Sequence, residues 1–237
     1  MKLNLSIKII IVLLLTLTFI APAWALLRGF SPDSYPSTKT FGLGAYFSPK
    51  EVTIYAEPKL DSQVLEKLEW QFARVQIDSL TGNIASPADV FITFYPYKEI
   101  AMMAVKDEVD GWVKVIYNQR DKSEGWVPLE TPAEKTQYNN LVGSFYTWYD
   151  FMFKIAKRRG VYFLPGVPKK LRKLRGQPSD DANIVRYNFT YVRSLDIKVI
   201  RGNWMLVKIV DLEEGSPIGW IRWRDEDGQL LVFCNMD

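Results

Sequence analysis

The stretch Gly202-Asn203-Trp204-Met205-Leu206-Val207-Lys208-Ile209, followed by Ile218-Gly219-Trp220-Ile221-Arg222, decides the fold. Met205, Val207 and Ile209 alternate with Trp204, Leu206 and Lys208, the period of two that turns one face of a strand toward a core. Gly202-Asn203 is a hairpin turn feeding that strand. The same order occurs earlier: Asp110-Gly111, then Trp112-Val113-Lys114-Val115-Ile116, then Glu124-Gly125-Trp126-Val127-Pro128. Trp112 and Trp126 lie 14 residues apart and Trp204 and Trp220 lie 16 apart, which leaves room for a strand, a polar turn and a second strand in each case. The chain reads as two related β halves.

Upstream of each tryptophan pair, a Tyr and a Pro stand three apart. Ile54-Tyr55-Ala56-Glu57-Pro58 precedes Val64 to Leu68, and Val161-Tyr162-Phe163-Leu164-Pro165 precedes Leu171 to Leu174. Aligned this way, Tyr55 to Trp112 spans 57 residues and Tyr162 to Trp204 spans 42, so the first half carries about 15 extra residues, assigned to a loop within Asp78 to Tyr97. Between the halves, Thr131-Pro132-Ala133-Glu134 supplies an N-cap, a proline at the first helical position and an acid two residues later. Apolar residues at three-to-four spacing from Tyr138 to Ala156, then Lys157, Arg158, Arg159 and Gly160, predict one amphipathic helix over 132–159. Its aromatic content fits a helix wedged between two small domains, a membrane surface, or a partner protein's groove.

A Tyr-containing strand with a following Pro, a Val/Leu-rich strand, a Trp-Val-x-Val strand and a Gly-Trp-Val or Gly-Trp-Ile ending resemble the bacterial Src-homology-3-type domain. The resemblance covers about 52–130 and, less cleanly, 161–232. The family's Asn-Val-Arg-x-Gly-Pro signature is replaced here by Ile-Tyr-Ala-Glu-Pro and Val-Tyr-Phe-Leu-Pro. The resemblance implies two small Src-homology-3-like barrels, at 51–130 with a loop insertion and at 161–237; with the amphipathic helix read between them, at 131–160, the chain is expected to be mainly β with one long helix. It also implies an exported bacterial protein whose barrels contact peptidoglycan or other proteins.

Residues 1–25 read as a secretory signal peptide: Lys2 and Lys8, an apolar run from Ile9 to Ala21, and Ala23-Trp24-Ala25 as the cleavage site. The run is shorter than the roughly 20 residues that span a bilayer; an uncleaved anchor is the competing reading. Residues 26–50 form a leader rich in Ser and Pro that ends in a strand near Phe41 to Phe47. Removing Lys2 and Lys8 lowers the formal charge from +3 to +1, which gives no global attraction for nucleic acid or for an anionic membrane. A single cysteine, Cys234, excludes an intrachain disulfide and reads as a near-terminal apolar residue or an intermolecular bridge.

The chain has no histidine, so Ser-His-Asp and Cys-His nucleophilic sites and the H-E-x-x-H zinc motif are excluded. No catalytic residue, metal site or cofactor is assigned. Tyr55, Trp112, Trp126, Tyr162, Trp204 and Trp220 are the ligand-binding candidates, because aromatic faces stack on sugar or peptide at low entropy cost; core packing is the competing reading. Lys169, Lys170, Arg172, Lys173 and Arg175 form a basic cluster, suited to an anionic polymer or to a solvated strand edge. Arg224 to Gly228 reads as a hairpin turn. The expected function is non-catalytic recognition of peptidoglycan peptide or glycan in the periplasm or outside the cell, with peripheral membrane contact through the aromatic helix. A periplasmic protein-interaction subunit is the alternative, and a hydrolase working through two carboxylates is a third.

Overall fold

The computed structural model describes residues 42–71, 74–77, 84–85, 87–95, 99–130, 141–186, 189, 192–211 and 216–235. It is mainly β, with two antiparallel sheets. The first half contributes β1 (Gly44–Phe47), β2 (Glu51–Tyr55), β3 (Val64–Gln71), β4 (Arg74–Ile77), β5 (Ile84–Ala85), helix α1 (Pro87–Val90), β6 (Thr93–Tyr95), β7 (Ile100–Val109), β8 (Trp112–Ile116), β9 (Glu124–Pro128) and β10 (Phe145–Thr147). These strands run β10-β1-β7-β8-β9-β2-β3-β4-β5, with β6 beside β7. After helix α2 (148–159), the second half contributes β11 (Val161–Phe163), β12 (Leu174–Arg175), β13 (Ile184–Arg186), β14 (Val192–Arg201), β15 (Trp204–Asp211), β16 (Ile218–Arg222) and β17 (Val232–Cys234). Their order is β13-β12-β16-β15-β14-β11-β17. Among the described residues both sheets are open paths, and the closed barrels expected from the resemblance are not formed.

The two halves repeat one pairing scheme. A bulge falls between Ile54 and Tyr55 in the β2–β3 hairpin and between Leu174 and Arg175 in the β12–β13 hairpin. The turns match as well: Ala56 N–H donates to Gln63 O where Gly176 N–H donates to Asn183 O, and Ser62 to Lys59 where Ala182 does so to Ser179. Every pair is offset by 120 residues. In the β7–β8 and β14–β15 hairpins, bulges at Val105/Asp107 and Ile197/Val199 match at an offset of 92. The difference, 28 residues, is what the first half adds between β3 and β7. That is nearly twice the expected insertion, and its described parts include β4, β5, α1 and β6 in place of a plain loop.

Tyr162 is therefore not the counterpart of Tyr55. Its strand β11 pairs with β14 and β17, as β1 pairs with β7 and β10. The first repeat begins inside the segment read as a leader and closes with β10, inside the segment read as helix. The bulge-flanking residue that matches Tyr55 is Arg175.

Helix α2 is 12 residues long, in three contiguous pieces: Trp148–Asp150, a π-helical Phe151–Ala156 and Lys157–Arg159. The long helix is corrected accordingly. Phe145-Tyr146-Thr147 is a strand because it pairs with the glycine-led β1, and the expected start at Thr131 and Pro132 lies outside the described residues. Thr147 caps α2, its Oγ1 accepting from Asp150 N–H at 3.1 Å. Gly160, at φ 78°, ends it.

The helix buries Trp148, Phe151, Met152, Ile155 and Ala156 in a core shared by both halves. Phe151 sits 6.2 Å from the Phe47 ring of the first half and 5.3 Å from Phe233 of the second. A second core around Trp70, Phe91, Phe94, Val113 and Val127 belongs to the first half. Cys234 is fully buried on β17, an apolar strand residue with no surface for an intermolecular bridge, and burial pushes its thiol up to about 12.

Candidate functional site

Alternation along β8 and β9 sends Val113, Val115 and Val127 into the core with no exposed surface, and Ile54 of β2 joins them. Trp112, Lys114, Trp126 and Tyr55 fall on the opposite side of the sheet, each half-buried. Tyr55 lies directly across from Trp126, which lies across from Lys114, and Trp112 lies across from Pro128. The Tyr55 and Trp112 rings meet edge to face at 5.6 Å. Lys114 Nζ stands 5.9 Å from the Trp126 ring and 3.5 Å from Glu124, which also reaches Lys106 at 3.6 Å. Three sequence candidates thus form one half-exposed aromatic surface edged by two lysines and a carboxylate.

The glycine before each second tryptophan has a packing reason. A Cβ at Gly219 would lie 2.6 Å from Leu174 Cγ and 2.8 Å from Arg175 O; one at Gly125 would collide with Ile54 and approach Tyr55 O to 3.1 Å. Glycine lets the β2 or β12 hairpin cross that close, and the crossing brings Tyr55 to Trp126 and Arg175 to Trp220.

The corresponding surface of the second half holds Trp204 and Trp220, but arginines take the places around them. Arg175 is opposite Trp220, Arg222 is opposite Trp204, and the Arg222 guanidinium lies 5.0 Å from the Trp204 ring. Arg201 lies 5.7 Å from the Trp220 ring. Asp180, in the turn between β12 and β13, pairs through both oxygens with Arg222 and stands 3.8 Å from Arg175. Arg175 also donates to Ala182 O at 2.9 Å. The hydrogen-bonded Asp180 carboxylate raises the Arg222 pKa against the opposing effect of burial.

Arg175 is 8% exposed, so it leaves the solvated basic cluster to which its sequence assigned it. Tyr162 stands apart from both surfaces, opposite Phe233 and packed against the shared core. Arg222, Arg201 and Asp180 were missed as site residues, and Arg175 was placed with the basic cluster instead of beside Trp220. The available signal was the ungapped match of Ile54 to Leu65 with Leu174 to Val185, which aligns Pro58 with Pro178.

Among the described residues, three carboxyl groups are held below their ordinary range: Glu57 by a hydrogen bond from Lys59, Asp121 by Ser123, and Asp150 by Lys154 and then Thr147. Such acids stay ionised at neutral pH and serve ion pairs, a turn and a helix cap. Asp225 accepts from Gln229 N–H at 2.8 Å in the expected hairpin turn, with Gly228 at φ 83°. Among the described residues no three metal-ligating side chains group together. No protein-family model, curated protein or solved structure matches the chain.

Proposed function

We propose that this protein is an exported, non-catalytic binding protein of the bacterial cell envelope, with two Src-homology-3-type repeats, and that its first repeat engages peptidoglycan peptide or glycan through Tyr55, Trp112 and Trp126. The observation that carries this reading is the clustering of those three rings on the solvent side of a sheet whose other side is fully packed. Rings in that position offer flat apolar area at small entropy cost, while Lys114 and Glu124 beside them can hydrogen-bond sugar hydroxyls or peptide groups.

The test is co-sedimentation of the exported protein with purified insoluble peptidoglycan across a salt series. Retention that survives high salt and falls at least about tenfold in Trp126→Ala or Tyr55→Ala, with the circular dichroism spectrum kept, supports aromatic recognition. Absence of retention at every salt concentration overturns it. The protein-interaction alternative draws on Leu60, Val64 and Leu65, which are 71%, 43% and 37% exposed around the β2–β3 hairpin. Crosslinking from that hairpin to an envelope protein, without wall retention, would favour it.

A further inference from the structure

The helix that joins the two halves carries a surface that neither core uses. Tyr149 and Phe153 are 49% and 46% exposed, and their rings stack at 6.2 Å with planes 8° apart. Lys157, four residues further on, places its ammonium 4.9 Å from the Phe153 ring. Lys154, Arg158 and Arg159 are exposed on the same helix, Arg159 close enough to Cys234 for its charge to act on that thiol. The acid of this face, Asp150, is taken up by Lys154 at 3.1 Å, and neither Arg158 nor Arg159 forms an ion pair with a described residue. Two exposed aromatic rings thus share a 12-residue helix with four exposed cations, one of them set over a ring and one paired with the only carboxylate of the helix.

We infer that this face of α2 is a docking surface for an anionic lipid bilayer. Burying two large rings against a neutral apolar protein groove would strip water from the surrounding cations without a partner for them. A bilayer interface accommodates both groups at once, since aromatic rings settle at headgroup depth while lysine and arginine meet lipid phosphates above them. Helix α2, at 12 residues, is too short to cross a bilayer, so the contact made through it lies at the interface. Each neutralised cation is expected to weaken partition by about fivefold. The surface lies on the helix and not on the aromatic sheet faces, so its loss leaves wall retention unchanged.

The test reads the contact locally, so that the apolar run at 9–21 does not obscure it. A nitroxide is attached in the full chain at Tyr149→Cys, and separately at Ser179→Cys in the exposed turn of the second repeat; native Cys234 is fully buried and does not label. Vesicles of phosphatidylglycerol mixed with phosphatidylcholine should raise oxygen access and lower nickel-chelate access at position 149, and leave position 179 unchanged. Replacing Lys157, Arg158 and Arg159 with Gln should abolish that change, as should vesicles of phosphatidylcholine alone. Unchanged access at 149 with the anionic vesicles would overturn the inference. So would equal insertion by the neutralised variant.

Discussion

Tyr55 and Arg175 occupy one place in two copies of the same hairpin, each beside a bulge and each directly across from the second tryptophan of its half. One repeat therefore presents aromatic carbon where the other presents a guanidinium held by Asp180. Arg175 and Arg222 have side chains 10% and 12% exposed, and Asp180 is the carboxylate both approach. Asp180→Ala leaves Arg222 with Glu226 at 3.4 Å and Arg175 with the Ala182 carbonyl, and should cost about 1–2 kcal/mol, between the ranges for exposed and buried pairs. Urea denaturation of that variant measures it. The counterpart of Asp180 in the first repeat is Leu60, and Leu60→Ala, in an exposed turn, should change stability by less than about 0.5 kcal/mol.

Phe151 couples the halves by packing between Phe47 and Phe233. Phe151→Ala opens a cavity in the shared core and should lower stability by about 3–5 kcal/mol, while Phe151→Leu, which leaves a smaller cavity, should cost less. Because the cavity borders both sheets, tryptophan fluorescence and far-ultraviolet circular dichroism should lose amplitude in one coincident transition at a lower urea midpoint. Two separated transitions in the wild-type protein would contradict a shared core.

Alkali should destabilise the fold through groups buried in their neutral form. Burial raises the Cys234 thiol to about 12, and it raises the Tyr46 phenol well above its usual value, with the Glu130 carboxylate adding to the effect. A folded-state pKa above the unfolded one gives stability that is complete below the unfolded value and is lost as pH rises toward the folded value. With an unfolded thiol near 8.5, the urea midpoint should hold level to about pH 8; above about pH 9 the thiol alone should remove about 1.4 kcal/mol per pH unit. Cys234→Ala should begin lower and decline less steeply. A thiol reagent should leave Cys234 untouched until the chain unfolds.

The meanders were legible in the sequence because strand alternation and two-residue turns are local signals. Asp110 and Gly111, at φ 45° and 80°, and Gly202, at φ 57°, form the hairpins their residue types predict. The first hairpin of the second repeat was legible only through the weak match of 54–65 with 174–185, and a stronger local likeness masked it. Val161-Tyr162-Phe163-Leu164-Pro165 copies the Tyr and Pro spacing of Ile54 to Pro58, yet the strand that crosses toward Trp220 begins at Leu174, which keeps only the apolar residue and the proline of its counterpart. The helix was overextended for a related reason. Phe145 and Tyr146 fit a helical period, but long-range pairing with β1 claims them for the sheet, a contact that no local window contains.

That pairing rests on Gly44, which lies between β7 and β10. A Cβ there would collide with Tyr146 O, with Thr147 Cα 2.7 Å away and Phe145 Cε2 2.8 Å away. Two of these three atoms are backbone, so they yield only if β10 leaves the sheet, and β10 leads directly into the Thr147 cap of α2. Gly44→Ala should therefore cost about 3 kcal/mol or more, the upper end of overpacking, and should speed amide exchange across both β10 and the first turn of α2. Gly111→Ala meets nothing within 4 Å and is opposed only by its φ of 80°, so it should cost about 1 kcal/mol and leave exchange in β10 unchanged. Equal losses from the two substitutions, or protection kept in β10 of Gly44→Ala, would show that the close crossing does not hold the end of the first repeat to the helix.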